Sequence, residues 1–518
     1  MLPVSGRMEV NMIIVRGNTL PDYSLLSMKA GSAEIDGYQH HEKWQYKPIM
    51  GVNVEEVSGK EILNISEDDF EHALKRISDS KLLPSMFNLE RTFSDSTTVI
   101  INTMTEAVAL LSEEEYNKYK TISDTMDYHD KVIVQLFLLG FLTKDDDSEL
   151  FKLDVIRNRS AFASSDAINI TIYPTQECNA RCFYCFENGE KRKPMSLETA
   201  KNVVEYITKN VTVTDEVVFR WFGGEPLVGD HIIDYITENV DKHFEGKLKF
   251  SSIVTTNGFN ISDDLIRRAR EKWHAKKFHV TIDGYGAEHN RRKHYYDKSV
   301  DAYQKLLTDI SKLISAGIFV VCRFNLDKKN IIQLDDILHD LEQFKNSDLF
   351  YIHTTTLRRP PKAPLEDYIL AQDYDWAYDL IWRKMYTYGF YNGIKHILPL
   401  RLRGNCLACV MNEVLINSEG NLFKCLQHTT EESHKVGDCT TGVVFNQNYI
   451  DWLDVSIKRP KCQKCEYLPM CAGGCKEYWY ENRPEISPCA REKTYFNTLT
   501  ELIHEWVTCG EIKERNKI

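Results

Sequence analysis

The chain has 518 residues, 42% of them hydrophobic and 27% charged, with a net charge of −12. That length exceeds one ordinary core and implies roughly two to four domains. The acidic balance argues against a nucleic-acid partner, and no apolar run reaches the roughly 18 residues of a transmembrane helix.

The first stretch, MLPVSGRMEVNMIIVRG, carries neither a long apolar run nor a small-residue cleavage site, so the expected location is the cytoplasm, with no membrane partner. Fourteen cysteines are present. None precedes Cys178, three fall at 178–185, and nine lie from Cys406 to Cys489. In a large chain without a secretory signal, such clustering indicates metal or redox sites rather than disulfides.

Residues 1–96 read as an extension of unknown role, a structural appendage or a peptide-docking segment. Ser66 is placed to cap a helix carrying Phe70, Ala73, Leu74 and Ile77, and 31–44 is polar and loop-rich. Residues 97–160 form a small unit. Apolar runs at 99–101 and 107–110 flank a turn and predict a hairpin. Ser112 and Glu115 make a capping box ahead of a helix with Tyr116, Tyr119 and Ile122, and a second helix over 131–139 stops at Gly140. Hairpin plus short helices is a winged-helix-like plan, but Asp145, Asp146 and Asp147 argue against DNA.

From 166 to 355, strands expected at 168–172, 217–221, 250–255, 278–282, 319–324 and 349–353 alternate with helices such as 196–209 and 331–344. Alternation implies a parallel sheet, and six units make a partial (β/α)6 barrel, open at its side. The fold class is therefore α/β. Residues 356–400, opening on Pro360, Pro361 and Pro364, read as a helical bridge. Residues 401–500 are cysteine-dense and would fold around metal, and 501–518 is a tail.

Cys178, Cys182 and Cys185 follow directly on a strand at spacings that let three thiolates converge. Thiolates favour iron–sulfur clusters or zinc. A zinc site short of one ligand, or plain buried cysteines, are the alternatives. Gly223-Gly224-Glu225-Pro226, Thr256-Asn257-Gly258 and the pair Arg323 and Asn325 stand at successive strand ends, where barrel active sites assemble. Glycines let backbone approach closely, and a carboxylate suits an ammonium.

This ordered set resembles the radical S-adenosylmethionine (SAM) superfamily over about 166–355. The resemblance implies one [4Fe–4S] cluster on the three cysteines, with one iron left open to chelate SAM and pass it an electron, giving a 5′-deoxyadenosyl radical. It also implies an external electron donor such as flavodoxin or ferredoxin. Tyr184 would lie by the adenine, Gly223, Gly224 and Glu225 would hold the amino group, and Thr256, Asn257, Arg323 and Asn325 would complete the SAM pocket.

Downstream, Cys409-x10-Gly420-x4-Cys425, then Cys462-x2-Cys465-x5-Cys471-x3-Cys475, and Cys489, resemble the SPASM domain of peptide-modifying radical SAM enzymes. The resemblance implies two auxiliary [4Fe–4S] clusters, one on Cys406, Cys409, Cys425 and Cys475 and the other on Cys462, Cys465, Cys471 and Cys489. Cys406 stands only three residues before Cys409, closer than in some relatives. Two zinc ribbons are the alternative reading. Cys322 is expected in the core, and Cys439 is expected to pack, with a spare-ligand role as the alternative. His428 and His434 are expected to be solvated loop residues.

Residues 97–160 resemble the peptide-recognition element of maturases that act on ribosomally made peptides, where a leader peptide adds as a strand beside the hairpin. The whole then implies a peptide maturase installing a crosslink, with a thioether as the leading product. The alternative is an anaerobic sulfatase-type maturase making formylglycine, whose aspartate base has a partial counterpart in Asp283. A non-catalytic iron–sulfur electron-transfer or peptide-binding protein is the alternative of another class, and it has no use for the Gly-Gly-Glu-Pro turn.

Overall fold

A computed structural model describes residues 13–16, 53–57, 60–64, 67–77, 80–125, 129–162, 167–187, 193–357, 364–391, 406–477, 493–510 and 512. The expected cap at Ser66 and the loop at 31–44 lie outside these residues, as does Cys489.

The N-terminal part is one antiparallel sheet. Its strands are β1 (Ile13–Arg16), β2 (Asn53–Val57), β3 (Lys60–Asn64), β5 (Asn88–Thr92), β6 (Thr98–Asn102) and β7 (Val108–Leu111), in the order β2-β3-β1-β7-β6-β5. A boundary at 96/97 would cut this sheet between β5 and β6. The expected hairpin is β6–β7, but the outer side of β7 is already taken by β1 of the same chain, with Ile13 opposite Leu110. Helix α1 (Glu67–Ile77) packs Ala73, Leu74 and Ile77 into one core with Ile100, Ala109, Tyr119 and Ile133.

The capping box forms: Ser112 N–H donates to Glu115 Oε2 at 2.8 Å and Glu115 N–H to Ser112 Oγ at 3.4 Å, opening α2 (Glu113–Thr125). Asp130 caps α3 (Lys131–Leu138). Gly140 follows with φ +81°, and a Cβ there would meet Thr105 Cγ2 at 2.4 Å, so glycine is required. A short ladder of β4 (Leu82–Pro84) with β8 (Leu142–Lys144) closes the unit, and α4 (Glu149–Phe162) leaves it.

The barrel strands are β9 (Ile168–Ile172), β10 (Glu216–Trp221), β11 (Lys249–Thr256), β12 (Ala275–Ile282), β13 (Phe319–Leu326) and β14 (Phe350–Thr356), all parallel and adjacent in chain order. Each matches an expected strand to within a few residues. Helices alternate with the strands, and Ser196 Oγ accepts from Thr199 N–H at the start of α5 (Leu197–Asn210). Cys322 is fully buried in the barrel core, as expected.

The sheet continues past the barrel. β15 (Glu413–Ile416) runs parallel to β9, and β16 (Asn421–Phe423), β17 (Gly437–Asp438) and β18 (Gly442–Val443) add antiparallel strands. The cysteine-rich region is thus hydrogen-bonded to the first barrel strand. Cys439 belongs to this shared core, which supports packing over a spare-ligand role. The last described helix, Phe496–Cys509, returns to the N-terminal sheet, where Arg91 pairs with Glu501 at 3.1 Å and the Phe93 and His504 rings stack at 4.1 Å. No described helix is long and apolar enough to cross a membrane.

Candidate active site and auxiliary cysteine sites

The loop after β9 carries Cys178, Cys182 and Cys185, all free thiols. Its backbone is clamped by the turn after β10. Gly224 N–H donates to Thr175 C=O at 3.2 Å, and Glu225 N–H to Glu177 C=O at 2.8 Å. A Cβ on Gly223 (φ +118°) would lie 2.3 Å from the Thr175 oxygen, and one on Gly224 would lie 2.4 Å from the Glu177 oxygen. The two glycines therefore admit the cysteine loop itself, a closer constraint than the ligand approach expected from sequence.

Glu225 is 1% exposed, and its carboxylate is spoken for inside the protein. Oε1 accepts from Leu227 N–H (3.1 Å) and Thr256 Oγ1 (2.7 Å), and Oε2 accepts from Asn257 N–H (2.7 Å). Burial pushes its pKa up against these bonds. Asn257 passes the hold on: Nδ2 donates to Asn179 at 2.7 Å beside Cys178 Sγ, and its carbonyl accepts from Tyr295 Oη at 3.1 Å. Glu225, Thr256 and Asn257 thus converge on the cysteine loop, as their strand-end positions suggested.

A second network closes the other side. Asp283 is wholly buried at the end of β12 and takes hydrogen bonds from Tyr184 Oη and from Asn325 Nδ2 (2.9 Å), with Lys293 Nζ at 3.1 Å. Burial would raise its pKa, but the Lys293 cation and these hydrogen bonds hold the carboxyl below its ordinary value. So held, the carboxylate orients Tyr184, Asn325 and Lys293 around it. Arg323 Nε donates to Asn325 Oδ1 at 3.1 Å, so the expected pair does meet.

The sequence alone did not single out Lys293 and the residues after it, which close the short helix Ala287–Lys293 onto this network. Asp283 N–H donates to His289 Nδ1 at 3.2 Å. Burial, then the Lys293 charge, pushes His289 down to about 3, so the ring is neutral. Lys293 and His294 offer carbonyls to Arg181 N–H, at 3.0 and 3.1 Å, and Tyr296 N–H donates to Asn179 C=O. The run Arg291-Arg292-Lys293-His294-Tyr295-Tyr296 was the available signal, since cations this dense beside aromatics at a barrel mouth need anionic partners.

The thiols fit a thiolate-bound cluster. Burial, Glu225 and the other two cysteines raise Cys178 to about 12, and burial raises Cys182 while the Lys293 cation opposes it. Sulfurs close enough to repel as thiolates, with one fixed cation near, suit a cluster that takes up their charge.

Downstream, two further sets gather. Cys425 is raised to about 12 by burial, with Cys406, Glu477 and Cys475 adding to it. Cys409 is raised to about 11 by burial and Cys406, with Lys476, Lys424 and Arg157 opposing. Cys406, Cys409, Cys425 and Cys475, the four thiols the resemblance groups, thus lie within electrostatic reach of one another. The two lysines beside them are fixed by carbonyls: Lys476 Nζ donates to Asp451, Trp452 and Asp454, and Lys424 Nζ to Val410 and Glu413. Cys462, Cys465 and Cys471 lie on adjoining turns, with Cys465 N–H bonded to Cys462 C=O.

Helix α4 joins both sets. Ile156 packs in the cluster that contains Cys462, and Ala161 packs against Cys409. Buried Arg157 lies between them, within electrostatic reach of Cys409, Cys471 and Cys462. The same cluster brings Phe87 and Met104 of the N-terminal unit onto Leu468.

Residues 172–335 match the radical SAM superfamily. The cysteine-type anaerobic sulfatase-maturating enzyme of Clostridium novyi (strain NT) is 26% identical over 61% of this chain and 90% of its own. The radical SAM cyclopropyl synthase TigE of Paramaledivibacter caminithermalis is 22% identical over 70% of this chain and 79% of its own. Among solved structures, native anSMEcpe with bound AdoMet superposes with a TM-score of 0.52 at 16% identity, covering 66% of this chain and 97% of that one, which shows a shared fold. The cysteine loop, the turn that clamps it and the domain match agree: residues 172–335 are a radical SAM domain, and the chain is an enzyme similar to the sulfatase-maturating and peptide-modifying relatives, with S-adenosylmethionine and [4Fe–4S] chemistry as its cofactor class.

Proposed function

We propose that this chain is a peptide maturase that installs a crosslink, a thioether first, in a ribosomally made precursor peptide. When bound, SAM and its cluster supply a radical that takes a hydrogen atom from carbon. The chain's own residues do the rest. Cys178, Cys182 and Cys185 would hold the SAM-site cluster, while Tyr184, Asn325 and Arg323 would border SAM, oriented through Asp283. The downstream sets, one around Cys425 and the other around Cys462 with Cys489, would hold the auxiliary clusters. An external one-electron donor is required to start the reaction, and closing the thioether releases the thiol proton and one electron, so a one-electron acceptor is required as well.

The observation that carries the reading is the seat of the N-terminal unit. Phe87 and Met104 pack on Leu468 within the second cysteine set, and Thr103 Oγ1 donates to Glu466 C=O at 2.5 Å. A peptide held as a strand on this sheet would be tethered next to the auxiliary cysteines, at raised local concentration. Because β1 fills the edge of β7, a leader strand would displace β1 or add at an outer edge of the sheet, β2 or β5. A second reading, formylglycine formation, is favoured by the near-full-length match to the sulfatase-maturating enzyme. It gains nothing from Asp283, whose buried carboxylate is engaged on every side.

The deciding experiment is mass spectrometry on a cysteine-containing peptide encoded beside the gene, incubated with reconstituted enzyme, SAM and dithionite. A loss of two hydrogens with one fewer alkylatable thiol supports the thioether. An aldehyde formed with loss of sulfur supports the second reading. SAM cleavage with no peptide product overturns both.

A further inference from the structure

The segment that carries the second cysteine set is basic in an acidic chain. From Ser456 to Cys465 the sequence reads SIKRPKCQKC, with four cations and no carboxylate, while the whole chain has a net charge of −12. Lys458, Arg459, Lys461 and Lys464 are all exposed, and they interleave with Cys462 and Cys465, each partly exposed. Asp454 pairs with Lys458, whereas Lys461 and Lys464 form no ion pair among the described residues. Glu466 follows the run, also exposed, and leaves its balance positive.

A run of like charges is more often a solvated face than a site. This one is folded. Cys462 N–H and Gln463 N–H donate to Arg459 C=O at 2.9 and 3.1 Å, and Cys465 N–H donates to Cys462 C=O at 3.0 Å. Gln463 Nε2 donates to Ile457 C=O at 2.8 Å, and Arg459 Nη1 to Gly473 C=O at 3.3 Å. Ile457 and Cys462 pack on Phe87 and Leu468. The turns therefore hold the cations as a collar around the thiols, one side on the core and the other in water. The loop after Cys425 is turned inward instead: His428, expected in solvent, is 6% exposed and stacks on His434 with ring centroids 3.9 Å apart.

We propose that Lys458, Arg459, Lys461 and Lys464 form the docking surface for an acidic one-electron carrier protein, which takes its electron through the second cysteine set. This role rests on the maturase reading only in that a second electron must leave the substrate. When a thiol closes on a carbon radical, the carbon–sulfur bond forms, the S–H proton goes to solvent and one electron goes to the oxidised carrier. Formylglycine formation also releases one electron after hydrogen abstraction, so the surface serves either product. Electron transfer falls off steeply with distance, and Cys462 and Cys465 reach the surface inside the collar. Transient electron-transfer encounters are small, under about 1,200 Å2 in total, and are steered by opposite charge.

The test mixes full-length, reconstituted and pre-reduced enzyme with oxidised flavodoxin, an acidic carrier, and follows the flavin by stopped flow. The second-order rate of flavin reduction should fall about tenfold from low salt to about 0.2 M salt, because salt screens the steering. Lys461→Glu with Lys464→Glu should slow the low-salt rate about tenfold and flatten its salt dependence. Iron content, and SAM cleavage driven by dithionite, which needs no docking, should stay at the wild-type level. If the reversed variant loses iron, Lys461→Gln with Lys464→Gln is read in its place and should slow the rate about threefold. Lys209→Glu with Lys247→Glu makes the same change in net charge at two exposed lysines of the barrel domain and should leave the rate near wild type. Equal slowing in that control overturns the proposal. So does a wild-type rate that is flat or rises with salt, as repulsion between two acidic proteins would give. Competition by the precursor peptide would make the collar a peptide surface and overturn it too. The flavin signal is read without peptide, so its outcome is separate from that of the product assignment.

Discussion

The barrel mouth and the cysteine-rich region both gather thiols, but they are held by different forces. At the mouth, the cysteine loop is locked by directional hydrogen bonds from successive strand ends: Glu225 grips Thr256 and Asn257, Asn257 grips Asn179, and the Lys293 and His294 carbonyls take Arg181 N–H. Those strands are already fixed by a large apolar core. Around Cys409 and Cys462 the elements are short and the apolar clusters small. There the organising groups are charges, with Lys424 and Lys476 caged by carbonyls and Arg157 buried between the sets. We therefore expect the first site to keep its shape without its cofactor, and the second to depend on its clusters.

The strongest way to break this contrast is to remove each cluster in turn. Replacing Cys178, Cys182 and Cys185 with alanine should abolish SAM cleavage, take away about one third of roughly twelve irons, and leave the melting temperature nearly unchanged. Replacing Cys409 and Cys425 should cost a similar share of iron, but also expose 406–477 to limited proteolysis. Equal protease resistance in the two variants would show that the cysteine-rich region folds without its clusters.

A smaller effect is expected from Arg157→Met, which keeps the apolar stem of the side chain and removes its charge. A nearby cation stabilises the more negative, reduced state of a cluster. The auxiliary signals in an electron paramagnetic resonance redox titration should therefore shift to more negative potential, while the SAM-site signal stays in place. A shift in the SAM-site signal instead would mean that Arg157 acts through the fold rather than as a local charge.

The sequence was legible where period and punctuation carry information. All six barrel strands, the capping box at Ser112 and Glu115 and the stop at Gly140 follow from alternation, caps and the left-handed turn. The clustering around Cys406, Cys409, Cys425 and Cys475 was legible by resemblance, because four thiols at fixed spacing have few uses. What was not legible are contacts made across the chain. Lys293 meets Asp283 only because the chain after β12 turns back through the helix Ala287–Lys293, and Ile13 of β1 finds Leu110 of β7 from far away in sequence. The burial of His428 depends on the long-range packing of its loop, which composition does not encode. Glu225 shows a further limit: its place at the site could be read, but its bonding to Thr256 and Asn257 could not.

The mildest test concerns His289, which separates the hydrogen-bonded site from the charge-built one by pH. An ordinary histidine titrates near 6.5, but burial holds His289 down to about 3 in the folded chain. Below 6.5 the unfolded chain binds a proton that the folded one refuses, so folded stability falls as pH drops from 6.5 toward 3. Above 6.5 the ring is neutral in both states and its contribution is complete. His289→Gln offers Asp283 N–H an amide oxygen that does not titrate. Stability at pH 7.5 should then change by no more than about 1 kcal/mol, the worth of one neutral hydrogen bond. Between pH 6.5 and 5 the variant should lose less stability than the wild type in urea melts of the reconstituted protein. Parallel pH profiles for the two would place the acid sensitivity elsewhere.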